Sequence, residues 1–283
     1  MQVSQDIAAI VDATELGSLP GAYAQLARVL RDTSASREQI ARAVGMDPGL
    51  VARLLKLVNA PGFARRQIET VSHACLYLGR DQLRELALAT SVVHMFRGLP
   101  EHLLDMRSFW THSVAVGLLA ESLAKQLRFY GDESLFVSGL LHDLGTLALS
   151  MAQPRSMRSV LMDAENTGQQ LTDCEQRVLG FDHTEVAEHL LKQWRLPQMH
   201  TMVARYHHGL DDDILRSSMA QPISLCHVAD VIATGMQWGS SGERRAIDID
   251  PRAWTASGLT LKELDIAVDG IEEQLEAVVA ALV

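Results

Sequence analysis

Histidine and aspartate side chains interrupt stretches of this sequence that are otherwise apolar. The clearest case is SLFVSGLLHDLGTLALSM, residues 134–151, in which His142 and Asp143 stand side by side among leucine, valine and alanine. Burying a carboxylate costs several kcal/mol unless a partner compensates its charge. Similar residues recur in or beside other apolar helical patterns along the chain. The full set is His112, His142, Asp143, His183, His207, His208 and Asp230.

This set of donors has two chemical interpretations. Imidazole nitrogens and carboxylate oxygens form a mixed ligand set that suits Fe, Mn, Zn or Co. One or two divalent ions would offset the burial of Asp143 and Asp230 together. Alternatively, each aspartate caps a helix or pairs with a neighbouring histidine in a metal-free polar network. The residue types alone leave both interpretations open.

The adjacency of His142 and Asp143 constrains the backbone that carries them. Successive residues of a helix point about 100° apart, so two neighbours converge on one ion only near a helix end or from its flank. Gly145 follows at a position where a helix could loosen.

Composition limits the class of protein. The chain has 283 residues, of which 47% are hydrophobic and 5% aromatic, with a formal net charge of −10. Few aromatic residues among many aliphatic ones favour helices. The acidic balance disfavours binding to DNA or to an anionic membrane. Cys75, Cys174 and Cys226 are too scattered for a disulfide framework, and we find neither a signal peptide nor a membrane span, so we expect a cytoplasmic protein.

Apolar residues at helical spacing predict helices over most of the chain, and no convincing strand pattern appears, so we predict an all-α fold. Ser36, Asp47 before Pro48, and the pair Thr260 and Glu263 provide capping signals at helix starts. The predicted helices cover residues 22–31, 37–44, 48–58, 68–78, 80–96, 107–128, 132–150, 155–167, 171–179, 183–194, 197–207, 218–236 and 261–281.

One segment, SREQIARAVGMDPGLVARLLK at residues 36–56, has the outline of a helix-turn-helix. A recognition helix must present polar side chains to base edges. The second helix here is apolar around most of its circumference, and Arg53 and Lys56 are its only basic residues. We therefore interpret it as a buried core hairpin and expect no DNA partner.

Several motifs together resemble the HDOD domain, the HD-related output domain of the HD phosphohydrolase superfamily. The resemblance runs from about Leu16 to Trp238. The most specific motif is DPGLVARLLKLVNAPGF, together with the segment from Val71 to Gly79. The other motifs are LGSLPGAYAQL, FWTHSVAVGLLAESLA, LLHDLGTLAL, WRLP and the histidine pair.

The resemblance implies a domain layout and a ligand set. It implies an N-terminal extension (1–15), an N-terminal helical lobe (16–106), an HD-like bundle (107–238), and a loop and C-terminal helix completing the bundle (239–283). The residues that match the basic HD metal set are His112, His142, Asp143 and Asp230. The residues that match the added ligands of the two-metal HD-GYP type are His183, His207 and His208.

The resemblance also implies a bacterial signalling or regulatory protein, a group to which enzymatic activity is generally not attributed. Thr146 stands where HD-GYP enzymes carry a lysine, and the GYP segment is missing. Such a lysine would stabilise phosphate charge in the transition state, so its absence weakens a hydrolytic interpretation. Two hypotheses remain: a signalling module that contacts a protein partner, with or without a bound metal, and a metal-dependent phosphohydrolase or cyclic-dinucleotide phosphodiesterase.

A protein partner would need a surface to bind. In the N-terminal lobe, Arg53, Lys56, Arg65 and Arg66 form a candidate positive patch on an otherwise acidic chain, suited to an acidic partner. The alternative is that these side chains are merely solvated, as charge runs usually are.

Overall fold

The structure is a computed structural model. It describes residues 2–13, 16, 18–19, 21–32, 34–64, 66–96, 103–129, 131, 133–243 and 248–283. These residues form helices and turns without any strand, which confirms the predicted all-α fold. The helices are α1 (Gln2–Ala13), α2 (Gly21–Arg31), α3 (Arg37–Gly45), α4 (Pro48–Val58), α5 (Val71–Leu78), α6 (Arg80–Met95), α7 (Met106–Gln126), α8 (Glu133–Leu141), α9 (Leu144–Ala152), α10 (Pro154–Thr167), α11 (Leu171–Leu179), α12 (His183–Gln193), α13 (Gln198–Tyr206), α14 (Asp212–Leu215), α15 (Ala220–Gly235), α16 (Pro251–Ser257), α17 (Leu261–Val268) and α18 (Ile271–Leu282).

The chain divides into two compact units. The larger unit comprises Met1–Ser18 and Gly98–Ile271, and the smaller unit comprises Leu19–Arg97 and Glu272–Val283. This division differs from the expected layout at both ends of the chain. The first helix, α1, packs against α9 and α12 within the larger unit, where we had expected a separate extension.

The C-terminal end also departs from the expected layout, because α18 lies in the smaller unit and does not complete the bundle. Lys56 Nζ donates a hydrogen bond to the carbonyl oxygen of Ala280. The helix predicted over 261–281 is interrupted at Gly270, whose φ of +76° lies in the left-handed region. Because this glycine ends the helical path, α17 and α18 can belong to different units.

In the smaller unit, α4 buries one apolar face, while Ala52 and Lys56 are exposed. Its residues Leu50, Leu54, Leu57 and Val58 are all buried. The Asp47 side chain accepts a hydrogen bond from the backbone N–H of Leu50 and caps the helix start. The helix packs against α3, α5 and α6, which supports the core-hairpin interpretation over a DNA-reading one.

In the larger unit, α7 packs against α8 and α15 at the centre of the core. Two glycines allow α7 and α8 to meet backbone to backbone. A Cβ atom on Gly117 would overlap the carbonyl oxygen of Phe136, and one on Gly139 would lie 2.7 Å from the Cα of Gly117. This close approach brings the α7 face that carries His112 next to the end of α8.

The helix predicted over 132–150 is two helices, because the chain turns at His142 and Asp143. Helix α8 ends at Leu141 and α9 begins at Leu144. Thr146 N–H donates to the Asp143 carbonyl oxygen at 3.0 Å, closing the turn. Interrupting the helix allows two adjacent side chains to face one point, as their spacing required.

The stretch Glu133–Ala152 is the one part of the described chain that is long and apolar enough to match a membrane span. Most of it is buried inside the protein, which is typical of a core helix. Length and composition alone are weak evidence for a membrane span.

Candidate metal centre

Five parts of the larger unit bring all seven predicted side chains together. His112 comes from α7, His142 and Asp143 from the junction of α8 and α9, and His183 from the start of α12. The histidine pair follows α13, and Asp230 lies on α15. The first ligand group comprises Asp143, His183, His207 and His208, and the second comprises His112, His142 and Asp230. Within each group, the donor atoms lie within 4.8 Å of one another.

Asp143 contacts both groups, one through each carboxylate oxygen. Its Oδ1 atom lies 3.3 Å from His183 Nε2 and 3.4 Å from His207 Nε2. Its Oδ2 atom lies 2.9 Å from His142 Nε2 and 3.8 Å from His112 Nε2. One carboxylate therefore stands between two sets of imidazoles.

Three of the imidazoles are held with the same nitrogen toward Asp143. His142 Nδ1 lies 2.6 Å from the Gly139 carbonyl oxygen, and His207 Nδ1 lies 3.1 Å from that of Ala204. A carbonyl oxygen accepts a hydrogen bond, so each Nδ1 carries the proton. His183 Nδ1 makes the corresponding bond to a carboxylate. The remaining Nε2 atoms converge on Asp143, and metal-ligating histidines likewise present one ring nitrogen while the other makes a hydrogen bond.

The other ligands surround Asp230. His112 Nε2 lies 3.1 Å from Asp230 Oδ1, and His208 Nδ1 lies 3.9 Å from Asp230 Oδ2. His208 Nε2 is 3.2 Å from His183 Nε2. Asp230 thus belongs to the second ligand group and also faces the outer edge of the first.

The centre is closed to solvent. Six of the seven residues are at most 6% exposed. His208 is the exception, and its side chain retains 17% exposure. His208 is therefore the most solvent-accessible residue of the centre.

Burial and charge act against each other at the two aspartates. Burial alone would raise the pKa of Asp143, but the charge of His142 lowers it, and the net pKa lies well below the ordinary value. Burial opposes ionisation at Asp230 in the same way, and the hydrogen bond from His112 lowers its pKa. Both aspartates are therefore carboxylates, the form that binds a cation.

The pKa values of two of the histidines shift in opposite directions. Burial lowers the pKa of His208 well below its ordinary value, and the neighbouring His207 lowers it further, so His208 is neutral. Burial acts in the same direction on His183, but the charge of Glu175 outweighs it and raises the pKa of His183 well above its usual range. The raised pKa means that His183 holds a second ring proton, whose positive charge balances the nearby carboxylates. A cation bound between the imidazoles would supply that positive charge instead.

The buried polar atoms fit a cation better than a closed hydrogen-bond network. His142 Nε2 and His207 Nε2 are buried and have no hydrogen-bond partner among the described residues. His142 Nε2 is close to Asp143 but lacks hydrogen-bond geometry. Unsatisfied buried nitrogens are costly, whereas a bound ion would use both lone pairs.

Sequence reasoning missed the buried carboxylate of Glu175 on α11. Its Oε2 atom accepts hydrogen bonds from His183 N at 2.9 Å and from His183 Nδ1 at 2.7 Å. Leu171, Cys174 and Glu175 form the buried face of α11. A glutamate in register with the apolar residues of an amphipathic helix is the signal that could have indicated it.

His227 contacts the backbone of one candidate ligand, His207. Its Nδ1 atom lies 2.7 Å from the His207 carbonyl oxygen, and its Nε2 atom accepts a hydrogen bond from the Asp250 backbone N–H at 3.0 Å. It therefore ties the end of α13 to the start of α16.

Thr146, at the position of the expected lysine, is buried one turn after Asp143. Its hydroxyl has no hydrogen-bond partner within the described chain. It contributes no positive charge.

The basic residues predicted to bind a partner are engaged in separate contacts in the smaller unit. Arg53 lies 3.8 Å from the Asp47 carboxylate, and Lys56 is bonded to Ala280. The guanidinium of Arg66 stacks over Tyr77 at 5.4 Å from the ring centroid. Arg65 lies outside the described residues. The partner surface stays a prediction.

Together, the fold and the site define an all-helical protein with a buried histidine–aspartate centre. The HDOD domain model matches residues 16–210, and the chain belongs to the HDOD family, as its motifs predicted.

Individual relatives support the same fold. The HDOD domain protein with unknown function from Geobacter sulfurreducens is 23% identical, with a TM-score of 0.77, and the similarity covers 99% of this chain and 98% of that one. A Shewanella amazonensis SB2B protein called "Putative phosphohydrolase" is 22% identical, with a TM-score of 0.69, over 95% and 98% of the two chains. A Marinobacter aquaeolei VT8 "Putative signal transduction protein" is 18% identical, with a TM-score of 0.71, over 93% and 58%.

A curated relative from Treponema pallidum (strain Nichols), called "Uncharacterized protein", is 24% identical over 217 residues. The match covers 74% of this chain but 41% of the relative, so the chain spans less than half the length of that protein.

Proposed function

We propose that this chain is a regulatory HDOD protein that binds two divalent ions in its buried centre and acts by contact with a protein partner, not by hydrolysis. The observation that carries the proposal is the position of Asp143. Its two carboxylate oxygens face separate groups of imidazoles, and the Nε2 atoms of His142 and His207 have no hydrogen-bond partner among the described residues. Family membership supports the broader HD-related regulatory role.

Each ligand group would hold one ion. Asp143, His183, His207 and His208 would hold the first, and His112, His142 and Asp230, with the second oxygen of Asp143, would hold the other. Neutral imidazoles with carboxylates suit Fe, Mn or Zn. When bound, such ions can activate water and clamp phosphate oxygens.

Two features favour a non-catalytic role. The ligands are buried apart from an edge of His208, which leaves little access for a phosphate ester. The ion pairs found for Asp143 and Asp230 in the described part of the chain all involve histidines, and Thr146 adds no cation. A site without a lysine or arginine lacks a common means of stabilising the charge of a phosphoryl transition state.

The second candidate is a metal-dependent phosphohydrolase or cyclic-dinucleotide phosphodiesterase. The specific observation in its favour is again the shared carboxylate, since paired ions are a recurrent arrangement for in-line displacement at phosphorus. The Shewanella protein of similar fold is called "Putative phosphohydrolase", which is compatible with this alternative.

Metal analysis and activity assays distinguish the two candidates. Protein purified without a histidine tag is analysed for Fe, Mn and Zn by mass spectrometry and then incubated with cyclic dinucleotides and bis(p-nitrophenyl) phosphate. We expect bound metal approaching two ions per chain and no turnover above the level of the His142→Ala variant. Turnover that disappears in His142→Ala would establish the hydrolytic alternative, and metal-free protein that cannot be loaded would refute the metal centre.

The partner, its binding surface and the cytoplasmic location are also proposals. We propose that an acidic surface of a signalling protein binds the smaller unit at Arg53, Lys56, Arg65 and Arg66. The support is the contrast between these residues and the net charge of −10 on the whole chain.

A further inference from the structure

The two ligand groups differ in the negative charge that their carboxylates provide. The second group has the Asp230 carboxylate, and Asp143 Oδ2 also lies 2.9 Å from its His142 Nε2. The first group has three imidazoles and Asp143, and Asp230 approaches it only at His208, where Oδ2 lies 3.9 Å from Nδ1. A dication in the first group would therefore be less well neutralised by its ligands.

Glu175 lies directly behind the first group. Its side chain is fully buried, and its Oε2 atom accepts both hydrogen bonds that His183 donates, from N and from Nδ1. Its Oε1 atom is buried and has no hydrogen-bond partner among the described residues. Within those residues, His183 is the one ion-pair partner of this carboxylate.

A carboxylate in this position has a defined effect on a ligating imidazole. By accepting the Nδ1 proton it fixes the tautomer and the ring orientation, and it makes Nε2 a better donor to a metal. The burial of an anion is tolerable here only if positive charge lies nearby. A cation bound to His183 Nε2 would supply that positive charge. The negative charge of Glu175 would in turn help to neutralise the cation.

We propose that Glu175 is a positioning residue that orients His183 and supplies the missing negative charge of the first ligand group, so that its removal weakens one of the two ions selectively. This inference rests on the proposed metal function. The competing explanation is that Glu175 only stabilises the start of α12 through the His183 backbone N–H.

Three variants separate these explanations. Glu175→Gln keeps an oxygen that can accept both hydrogen bonds and removes the charge, whereas Glu175→Ala removes both. Glu121→Gln is the matched control, because Glu121 is a buried glutamate of the same unit, on α7, whose carboxylate pairs with Lys125 at 2.9 Å. Metal-free proteins are titrated with Zn²⁺ in competition with a chromophoric chelator, and the two dissociation constants are fitted separately.

We expect the Glu175→Ala variant to lose about 10- to 100-fold in affinity for one ion, the range typical of losing such a supporting carboxylate. The other ion should keep its affinity, and Glu121→Gln should match the wild type in both. Glu175→Gln should show a smaller loss at the same ion. In the Zn²⁺-loaded wild type, NMR should show a low-field Nδ1 proton of His183 that is absent from Glu175→Ala.

Each result bears on the proposal. If the wild type binds two Zn²⁺ ions and both Glu175 variants bind them equally well, Glu175 only supports the fold and the inference is refuted while the metal centre stands. An equal loss at both ions would refute the selectivity. If Glu175→Ala does not fold, Glu175→Gln decides alone, and unchanged affinity in that variant refutes the charge contribution. A wild type that binds no Zn²⁺ refutes the metal centre and this inference with it.

Discussion

Asp143→Asn should remove most of the thermal stabilisation that metal ions give to this protein. Asparagine is nearly the same size as aspartate but has no charge, and its amide nitrogen cannot act as a second ligand oxygen. Since Asp143 Oδ1 faces the first ligand group and Oδ2 faces the second, the substitution damages both groups at once.

The magnitude follows from linkage. An ion that binds the native state and is present at 100 times its dissociation constant contributes about 2.7 kcal/mol to stability, so two ions contribute roughly 5.4 kcal/mol. For a unit of this size each kcal/mol shifts Tm by about 2–4 °C, which gives an increment of roughly 11–22 °C for the wild type. We expect Asp143→Asn to retain less than about a third of that increment, because neither group keeps a full set of anionic ligands.

The assay compares each protein with itself. Chelator-treated protein is melted by scanning calorimetry, with and without Zn²⁺ at 100 times the wild-type dissociation constant. Because the measured quantity is the increment on adding Zn²⁺, a change in the baseline stability of the variant does not obscure it. Asp213→Asn is the control, since Asp213 is 92% exposed and pairs with Arg216.

Two results would refute the reasoning. An increment in Asp143→Asn equal to that of the wild type would show that Asp143 does not join the two groups. An increment near zero in the wild type would show that the seven side chains form a metal-free network.

Three further predictions concern the packing of Gly145, the cap of α12 and the proposed partner surface. Gly145→Ala would make a Cβ atom overlap the backbone carbonyl oxygen of His183 at the start of α12. We expect this overpacking to cost about 1–3 kcal/mol in stability, measured by calorimetry, and to weaken Zn²⁺ binding, measured by titration. The control Gly209→Ala has open space around its Cβ atom and should change neither quantity. Asp182→Ala removes the side chain that caps α12 and should cost about 0.5–2 kcal/mol in chemical denaturation; an unchanged midpoint would contradict the cap. Arg65→Glu combined with Arg66→Glu should abolish the capture of partners from the native host at unchanged Tm, and an unchanged set of captured proteins would discard the proposed surface.

Much of the candidate site could be predicted because its residues are exceptions to their surroundings. A histidine or aspartate inside an apolar helical pattern is visible without knowledge of the fold, and all seven such residues meet in one place. The convergence of His142 and Asp143 near a helix end could also be predicted, because helical geometry separates neighbouring side chains.

The features that sequence reasoning missed depend on contacts between distant elements. Glu175 resembles any glutamate of an amphipathic helix, and its role follows only from the packing of α11 beside the start of α12. The place of α18 in the smaller unit depends on contacts such as the one between Lys56 and Ala280, which no local pattern indicates. The short helices α14 and α16 carry too few residues for a periodic signal.

The closure of the centre has a kinetic consequence. When every ligand but the edge of His208 is buried, a chelator cannot reach a bound ion until the surrounding helices separate locally. Metal loss should therefore follow the rate of that opening and become independent of chelator concentration once recapture by the protein is suppressed. The rate of release of such an ion would therefore report local unfolding of the larger unit, not the affinity of the site.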